Sequence, residues 1–268
     1  GIDVGYNSMV TFVNIDGDGD MDAFVGNQNG TISFYRNTGT ATSPVFISMT
    51  GSNNPLNGVT VGQYSAPVFV DIDGDGDSDL FIGSLLGDIT YYKNTGTAAT
   101  PVFTKQTGAA NPFNNVCVGE LSAPAFVDLD GDDDVDAFIG ALSGEINYYQ
   151  NTGTPSLPVF SPQSGLMNPL NGVNVGGYST PVFVDIDSDG DQDVFIGEIY
   201  GSLVYYKNMQ PPCYNPVNGG SIAASQEICA GNIPAPFTSL SPATGQTGAP
   251  EYKWQFSNSG LSNSYTDI

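Results

Sequence analysis

One acidic segment returns at a fixed interval and constrains the fold more than any other feature of this sequence. NIDGDGDMD begins at Asn14, DIDGDGDSD at Asp71, DLDGDDDVD at Asp128 and DIDSDGDQD at Asp185, so the interval between successive copies is constant. The flanking segments keep the same register, since GDITYYKNTGT follows the second copy and GEINYYQNTGT the third. A fixed period of this length is typical of a stacked or circular array of one supersecondary unit.

The composition favours an all-β chain. The 268 residues include 34 Gly and 18 Pro, and short β-branched and aromatic runs lie between turn residues without a helical period. Within one unit the sequence predicts four strands, at 67–71, 79–83, 88–93 and 101–105. The first two are nearly continuous apolar runs, so both of their faces should be covered. The four-stranded blades of a β-propeller meet this requirement, whereas the coils of a β-solenoid are usually far shorter than this repeat.

The third strand alternates, with Ile89 and Tyr91 expected on one face and Thr90 and Tyr92 on the other. The fourth unit lacks its last strand after LVYYKN (203–208). We expect further blades in the chain before Gly1.

The formal charge of −23 is concentrated in the repeated segments, which contain twenty of the 28 acidic residues. The chain has five basic residues, too few for a phosphate-binding surface, so nucleic acid is not expected as a partner. No apolar run approaches the roughly 18 residues that cross a bilayer, so membrane insertion is not expected either. Without histidine there is no His-based triad or general base, and no separate carboxylate pair stands out. We therefore expect no enzymatic activity.

The acidic segments have the spacing of a cation-binding loop, D-x-D-x-D-G-x-x-D. Carboxylates at positions 1, 3, 5 and 9 and a backbone carbonyl at position 7 offer oxygens to a hard cation, and Gly at position 6 permits a sharp turn. Oxygen ligands without His or Cys favour Ca²⁺ over zinc or copper, and their number disfavours Mg²⁺. EF-hand and dockerin loops need a Glu at position 12, which is Val or Ile here, and thrombospondin-type arrays use shorter, cysteine-bearing repeats. A solvated acidic turn without metal is the remaining alternative.

The stretch APVFVDIDGDGDSDLFIGSLLGDITYYKNTGTAATPVF (66–103) resembles the FG-GAP or VCBS-type repeat, the blade unit of integrin-α-like β-propellers. The resemblance covers 1–208 and implies a ring of usually seven blades with one Ca²⁺ loop per blade, about four ions in this chain. It implies side-chain ligands at Asn14, Asp16, Asp18, Asp22, Asp71, Asp73, Asp75, Asp79, Asp128, Asp130, Asp132, Asp136, Asp185, Asp187, Asp189 and Asp193, and carbonyl ligands at Asp20, Asp77, Asp134 and Asp191. Two positions depart from the pattern: Asn14 removes one charge, and Asp133 replaces the turn glycine, a replacement that Asp tolerates better than most residues.

The C-terminal part has a different character. After a linker at 209–218, the segment 219–268 is similar to the Ig-like repeats of large bacterial surface proteins exported by the type IX route. This resemblance implies a partial β-sandwich in which YKWQFS (252–257) is a strand. A disulfide between Cys213 and Cys229 would suit an exported chain, but the sequence leaves that pairing open. Cys117 is expected to be a solvated or half-buried thiol.

Taken together, the resemblances imply a non-catalytic calcium-binding module of a secreted or cell-surface protein. Its expected partner is an unidentified extracellular protein or glycan, with the export machinery as a further candidate. Two alternatives stay open. One is a lectin in which the tyrosine pairs at 91–92, 148–149 and 205–206 stack on sugars; the other is a spacer that displays other domains.

Overall fold

The structure is a computed structural model that describes residues 2–129, 132 and 134–208, and the backbone of two short strands near the C-terminus. The chain divides into two compact units, Gly1–Tyr214 and Asn215–Ile268. The predicted linker, most of the Ig-like segment, and both Cys213 and Cys229 lie outside the described residues.

The first unit consists of four antiparallel sheets, in each of which neighbours in sequence are neighbours in the sheet. These sheets are the blades of a β-propeller, so the predicted all-β propeller fold is confirmed. Within the described residues, a single 3-10 turn follows the last strand of each of the first three blades, at Gly51–Asn53, Gly108–Ala110 and Gly165–Met167. Blade 1 comprises β1 (Met9–Val13), β2 (Asp22–Gly26), β3 (Ile32–Asn37) and β4 (Phe46–Met49); blade 2 comprises β5 (Ala66–Val70), β6 (Asp79–Gly83), β7 (Ile89–Asn94) and β8 (Phe103–Gln106); blade 3 comprises β9 (Ala123–Val127), β10 (Asp136–Gly140), β11 (Ile146–Asn151) and β12 (Phe160–Gln163); blade 4 comprises β13 (Thr180–Val184), β14 (Asp193–Gly197) and β15 (Leu203–Tyr206).

The predicted strands of blade 2 are found within two residues of their expected limits. The largest difference is at the fourth strand, which begins at Phe103 rather than at Pro101. Proline has no N–H to donate to a ladder, and the turn that Thr97 and Thr100 close lies directly before it.

The core lies between the blades rather than inside any one of them. Every residue of β6 is buried, as the apolar run predicted. Leu80 and Ile82 pack with residues of blade 1, whereas Phe81 packs with residues of blade 3. The alternation of β7 is also confirmed, because Tyr91 belongs to the core shared with blade 3 and Tyr92 to the core shared with blade 1.

Close backbone approach between consecutive blades explains the glycine that ends the second strand of blades 1 to 3. A Cβ on Gly83 would lie 2.0 Å from the backbone oxygen of Ser122, at the start of blade 3. Ser122 is buried, and its hydroxyl accepts a hydrogen bond from the backbone N–H of Ser84 and donates one to the backbone oxygen of Asp88. Ser65 and Ser179 make the corresponding contacts at the other two blade interfaces.

The outermost blades expose surfaces that the inner blades bury. The first strands contact in chain order, β1 with β5, β5 with β9 and β9 with β13, but within residues 2–208 no comparable contact joins β13 to β1. Phe69 packs on Phe24 of the preceding blade with ring centroids 4.8 Å apart, whereas its counterpart Phe12 is 55% exposed. Tyr205 in β15 is 43% exposed, although its counterpart Tyr91 is buried.

In the second unit, β16 (Gln255–Ser257) pairs antiparallel with β17 (Tyr265–Asp267). β16 overlaps the end of the YKWQFS segment. In the part of the chain that the structure describes, no helix has the length and apolar character that a membrane span needs.

Candidate metal centres

Each acidic segment forms the loop between the first and second strands of its blade, as the sequence predicted. We call these loops 1 to 4, spanning 14–22, 71–79, 128–136 and 185–193, with the last position of each loop opening the second strand. Position 6 adopts the positive φ expected of its glycine, 90° at Gly76. Position 4 does so as well, at 69° for Gly74 and 62° for Ser188, a second reversal that the template did not predict. Two such residues fold loops 1, 2 and 4 back on themselves.

The carboxylates at positions 1, 3 and 5 converge. In loop 2, oxygens of Asp71, Asp73 and Asp75 lie within 4.8 Å of one another, and loop 4 repeats this with Asp185, Asp187 and Asp189. The first carboxylate organises the loop, because Asp71 accepts hydrogen bonds from the backbone N–H groups of Asp75 and Gly76, at 3.2 and 2.9 Å. Three carboxylates at this separation repel one another unless a positive charge lies close to them.

The aspartate side chain at position 7 is a further candidate metal ligand that the sequence template did not include. The template assigns only the backbone carbonyl of this position to the metal. In the structure Asp20 and Asp191 are 7% and 8% exposed, and Oδ1 of each accepts no hydrogen bond. The Oδ1 atom of Asp77 is also buried and accepts no hydrogen bond. Burial first, and then the charges of Asp18 and Asp16, raise the pKa of Asp20, so this carboxylate lies within the field of the cluster.

The carboxylate at position 9, predicted as a metal ligand, is occupied by protein hydrogen bonds. Asp79 is 1% exposed; its Oδ1 accepts from the backbone N–H of Asn94 at 2.6 Å, and its Oδ2 accepts from the hydroxyl of Tyr91 at 2.7 Å. These bonds join the start of the second strand to the third. Burial raises the pKa of Asp79 to about 6, although both hydrogen bonds lower it. The same pattern recurs at Asp22, Asp136 and Asp193, except that Phe34 replaces the tyrosine in blade 1.

A basic side chain from the third strand, or from the residue directly after it, reaches three of the four loops. Arg36 Nη2 lies 2.5 Å from Asp16 and 3.8 Å from Asp18. Lys93 contacts Asp73 and lies 3.4 Å from Asp75. Lys207 contacts Asp187 and lies 3.1 Å from Asp189. Hydrogen bonding to the aspartates raises the pKa of both lysines, so they stay cationic.

The repeat register contained a signal for these contacts. Each basic residue lies at the same distance along the chain from position 3 of its loop, and the corresponding residue of blade 3 is Gln150. Of the four basic residues in the part of the chain that the structure describes, three therefore face acidic loops, which the composition alone does not reveal.

The loops fit a hard cation. They concentrate carboxylate oxygens, contain no nitrogen or sulfur ligand, and leave buried oxygens of Asp20, Asp77 and Asp191 without a hydrogen-bond donor. Buried carboxylate oxygens are costly unless they are paired or coordinate a metal. Asp130 and Asp133 of loop 3 lie outside the described residues, so the ligand set of that loop rests on its sequence and on the resemblance.

Of the three tyrosine pairs, those of blades 2 and 3 are largely withdrawn from the surface that a sugar platform needs, whereas Tyr205 and Tyr206 of blade 4 are exposed. Tyr91 and Tyr148 are buried, and their hydroxyls donate to the position 9 carboxylates. Tyr92 is also buried. Cys117 is a free, exposed thiol, in agreement with its predicted position.

Comparison with protein-family models gives a match to an FG-GAP-like repeat over residues 14–82. That stretch runs from the start of loop 1 to β6, slightly more than one repeat unit. The match and the four blades together support a propeller built of this repeat.

Proposed function

We propose that residues 1–208 form a non-catalytic, calcium-binding propeller module of a secreted or cell-surface protein, acting in adhesion or ligand binding. The observation that carries the proposal is the set of buried, undonated carboxylate oxygens in repeated all-oxygen loops. FG-GAP-like repeats are typical of extracellular proteins, where calcium is abundant, and this supports the proposed location.

The clustered side chains at positions 1, 3 and 5, with the buried carboxylate at position 7, are the groups that would hold the ion in loops 2 and 4. In loop 1, Asn14 contributes a buried Oδ1 that also has no hydrogen-bond donor. A bound Ca²⁺ would supply positive charge to the cluster. The chain's own contribution is to fix the loop between two strands through the position 9 hydrogen bonds, so that the carboxylates are already gathered.

Calorimetric titration of the metal-stripped 268-residue chain with CaCl₂ tests this proposal. We expect about four ions per chain, with Zn²⁺ unable to displace them because the loops offer no nitrogen or sulfur. The double variant Asp71→Asn/Asp75→Asn should lose one site, whereas Asp88→Asn, an acidic change outside the loops, should lose none. Fewer than three sites at millimolar calcium would contradict the proposal.

A non-catalytic role is supported by the composition and by the location of most acidic residues in the loops. The chain has no histidine, and twenty of its 28 acidic residues belong to the loops. Nucleic acid is a poor candidate partner, because Arg36, Lys93 and Lys207 each contact aspartates, whose negative charges offset theirs and would repel phosphates.

A glycan ligand is the second candidate, and one observation favours it. Blades 2 and 3 each have a cleft lined by both polar and apolar side chains, of about 360 and 380 Å³, in corresponding positions of the repeat. Exposed amide side chains such as Asn114 and Asn171 line these clefts and can bond sugar hydroxyls. Glycan-array screening of the calcium-loaded chain tests this candidate, with Asn114→Leu and Asn171→Leu as site variants; binding that both variants retain would place the ligand elsewhere.

A further inference from the structure

We propose that the cation sites of loops 1 and 2 are coupled across the boundary between blades 1 and 2. The connecting element is the segment 95–102 between β7 and β8, which we call the blade 2 turn. The buried Asn94, which holds this turn, is a positioning residue for the site of the preceding blade. This inference rests on the proposed calcium binding and adds to it communication between two sites.

Loop 1 meets the following blade at its position 4. A Cβ built on Gly17 would lie 3.3 Å from the Cβ of Ala99, in the blade 2 turn. Ser188 occupies the same position of loop 4 with φ of 62°, so this bend accepts a side chain where there is space. Gly17 lies between the candidate ligands Asp16 and Asp18, so a movement of the blade 2 turn acts directly on two of the carboxylates of loop 1.

The blade 2 turn is in turn held by loop 2. Asn94 is 2% exposed, and its Oδ1 accepts hydrogen bonds from the backbone N–H groups of Gly96 and Val102, at 3.0 and 2.9 Å. Its own backbone N–H donates to Asp79, the last residue of loop 2, at 2.6 Å. An unbroken series of contacts therefore leads from loop 2 through Asn94 and the turn to Gly17. Networks of this kind can carry coupling between sites.

The same series recurs at the next boundary. The backbone N–H of the buried Asn151 donates to Asp136 at 2.8 Å, and its Oδ1 holds both ends of the corresponding turn of blade 3 at 3.1 and 2.9 Å. A Cβ built on Gly74 of loop 2 would lie 3.6 Å from the backbone oxygen of Pro155 in that turn. Because the residue that meets the loop differs between the two boundaries, the contact belongs to the arrangement of the blades and not to one side chain.

The coupling has a definite sign. An ion in loop 2 restricts the motion of that loop and, through Asp79 and Asn94, the motion of the blade 2 turn. Loop 1 then packs against a turn that is already ordered, so its own ordering costs less entropy. Ordering of a shared element gives positive cooperativity without a change of structure. By linkage, an ion in loop 1 raises the affinity of loop 2 by the same factor.

The test is hydrogen exchange of the full chain at increasing CaCl₂ concentration, with the protection of loop 1 and of loop 2 followed separately. Asp71→Asn/Asp75→Asn removes the site of loop 2, and we expect the calcium midpoint of loop 1 to rise roughly fivefold, which corresponds to about 1 kcal/mol. Asp185→Asn/Asp189→Asn is the matched control, because it makes the same change two blades further along the chain. It should leave the midpoint of loop 1 unchanged.

Asn94→Ala separates positioning from a simple effect of charge, because it breaks the series of contacts and leaves every carboxylate in place. In the Asn94→Ala background, loss of the loop 2 site should no longer move the midpoint of loop 1. Circular dichroism verifies that this variant folds.

A second pair of variants does not depend on a buried side chain. Gly17→Ala and Gly19→Ala both strain loop 1, at φ of 73° and 96°, but among the described residues a Cβ on Gly19 meets no atom within 4 Å. Ala99 is exposed, and Ala99→Gly makes room only for the methyl group of Gly17→Ala. Ala99→Gly should therefore restore part of the calcium affinity that Gly17→Ala loses and none of what Gly19→Ala loses, a coupling that a double-mutant cycle measures.

Three results would overturn the coupling while leaving the proposed function intact. They are a loop 1 midpoint that is the same with and without the loop 2 site, a shift that Asn94→Ala leaves in full, and an Ala99→Gly change that restores neither glycine variant. Absence of calcium-dependent protection in every loop at millimolar calcium would overturn both the coupling and the proposed function.

Discussion

At the scale of single residues, Asp79 shows how a loop carboxylate can serve the fold. Burial raises its pKa from 3.8 to about 6, whereas in the unfolded chain an aspartate titrates at about 3.9. The folded state therefore binds this proton more tightly than the unfolded state. The contribution of Asp79 to stability is fully present below about pH 4 and is lost as the pH rises through about 6.

We accordingly expect the metal-free protein to unfold at a higher temperature at pH 5 than at pH 7. The pKa values of Asp20, Asp22 and Asp77 are also raised, chiefly by burial, and act in the same direction. Asp79→Asn removes one titrating group and should reduce the difference, while the exposed Asp3→Asn should not. Thermal melts of the three proteins in calcium-free buffer provide the measurement. An Asp79→Asn protein that keeps the full pH dependence would contradict this assignment.

At the scale of the structural element, the glycine that ends the second strand of blades 1 to 3 allows consecutive blades to pack closely. Gly83 faces the backbone of Ser122, which cannot move without shifting blade 3. Gly197 has the same position in blade 4, but its nearest atom is the side-chain hydroxyl of Thr180, at 2.6 Å from a Cβ built on it.

Gly83→Ala should therefore destabilise the protein by about 1–3 kcal/mol or more, as expected of overpacking in a rigid contact. Gly197→Ala should cost clearly less, because the threonine side chain can rotate away. Urea denaturation followed by circular dichroism compares the two. Equal losses would indicate that the glycine serves the strand itself and not the interface.

The sequence predicts the strands and loops well, because each pattern recurs in every repeat unit. It predicts poorly which side chains contact one another across strands, because those contacts depend on the tertiary structure. The continuous apolar run of β6 predicted a strand that is buried on both faces. The alternation of β7 predicted a strand with Tyr91 and Tyr92 on opposite faces. Both predictions succeed because these patterns depend only on neighbouring residues. The hydrogen bonds that a loop carboxylate accepts are decided across strands. The sequence template therefore treated Asp79 and Asp75 alike and did not predict that Asp79 accepts a hydrogen bond from the hydroxyl of Tyr91. The salt bridge of Lys93 was missed for the same reason.

At the scale of the whole propeller unit, the loops carry most of the charge and must be considered together. Twenty aspartates in four loops repel one another by several kcal/mol per loop at an effective dielectric constant of about 20. A ligand that binds only the folded state stabilises it by about 2.7 kcal/mol per site at a hundredfold excess over its Kd. Four such sites would contribute as much as the whole stability of a typical domain.

We therefore expect calcium to control the stability of residues 1–208. Melting of the chain with calcium and with a chelator at neutral pH should differ by well over a few degrees. Asp75→Ala should remove only part of this difference, because each blade contacts mainly its neighbours. Its hydrogen exchange should rise within 67–93 and change little beyond 124. A chelator shift of less than a few degrees would show that the blades are stable without the ion.

The serine and glycine contacts between blades have a consequence for how such a gene can change. Ser65, Ser122 and Ser179 make equivalent contacts, one in each successive unit of the repeat. Loss of the codons for 71–127 would join Val70 to Asp128 and restore an uninterrupted blade, APVFVDLDGDDDVDAFIG. Unequal recombination between units can thus lengthen or shorten the protein by whole blades without creating a new kind of interface. An insertion or deletion within a strand that carries one of these contacts would instead move the serine out of register with its partners in the preceding blade.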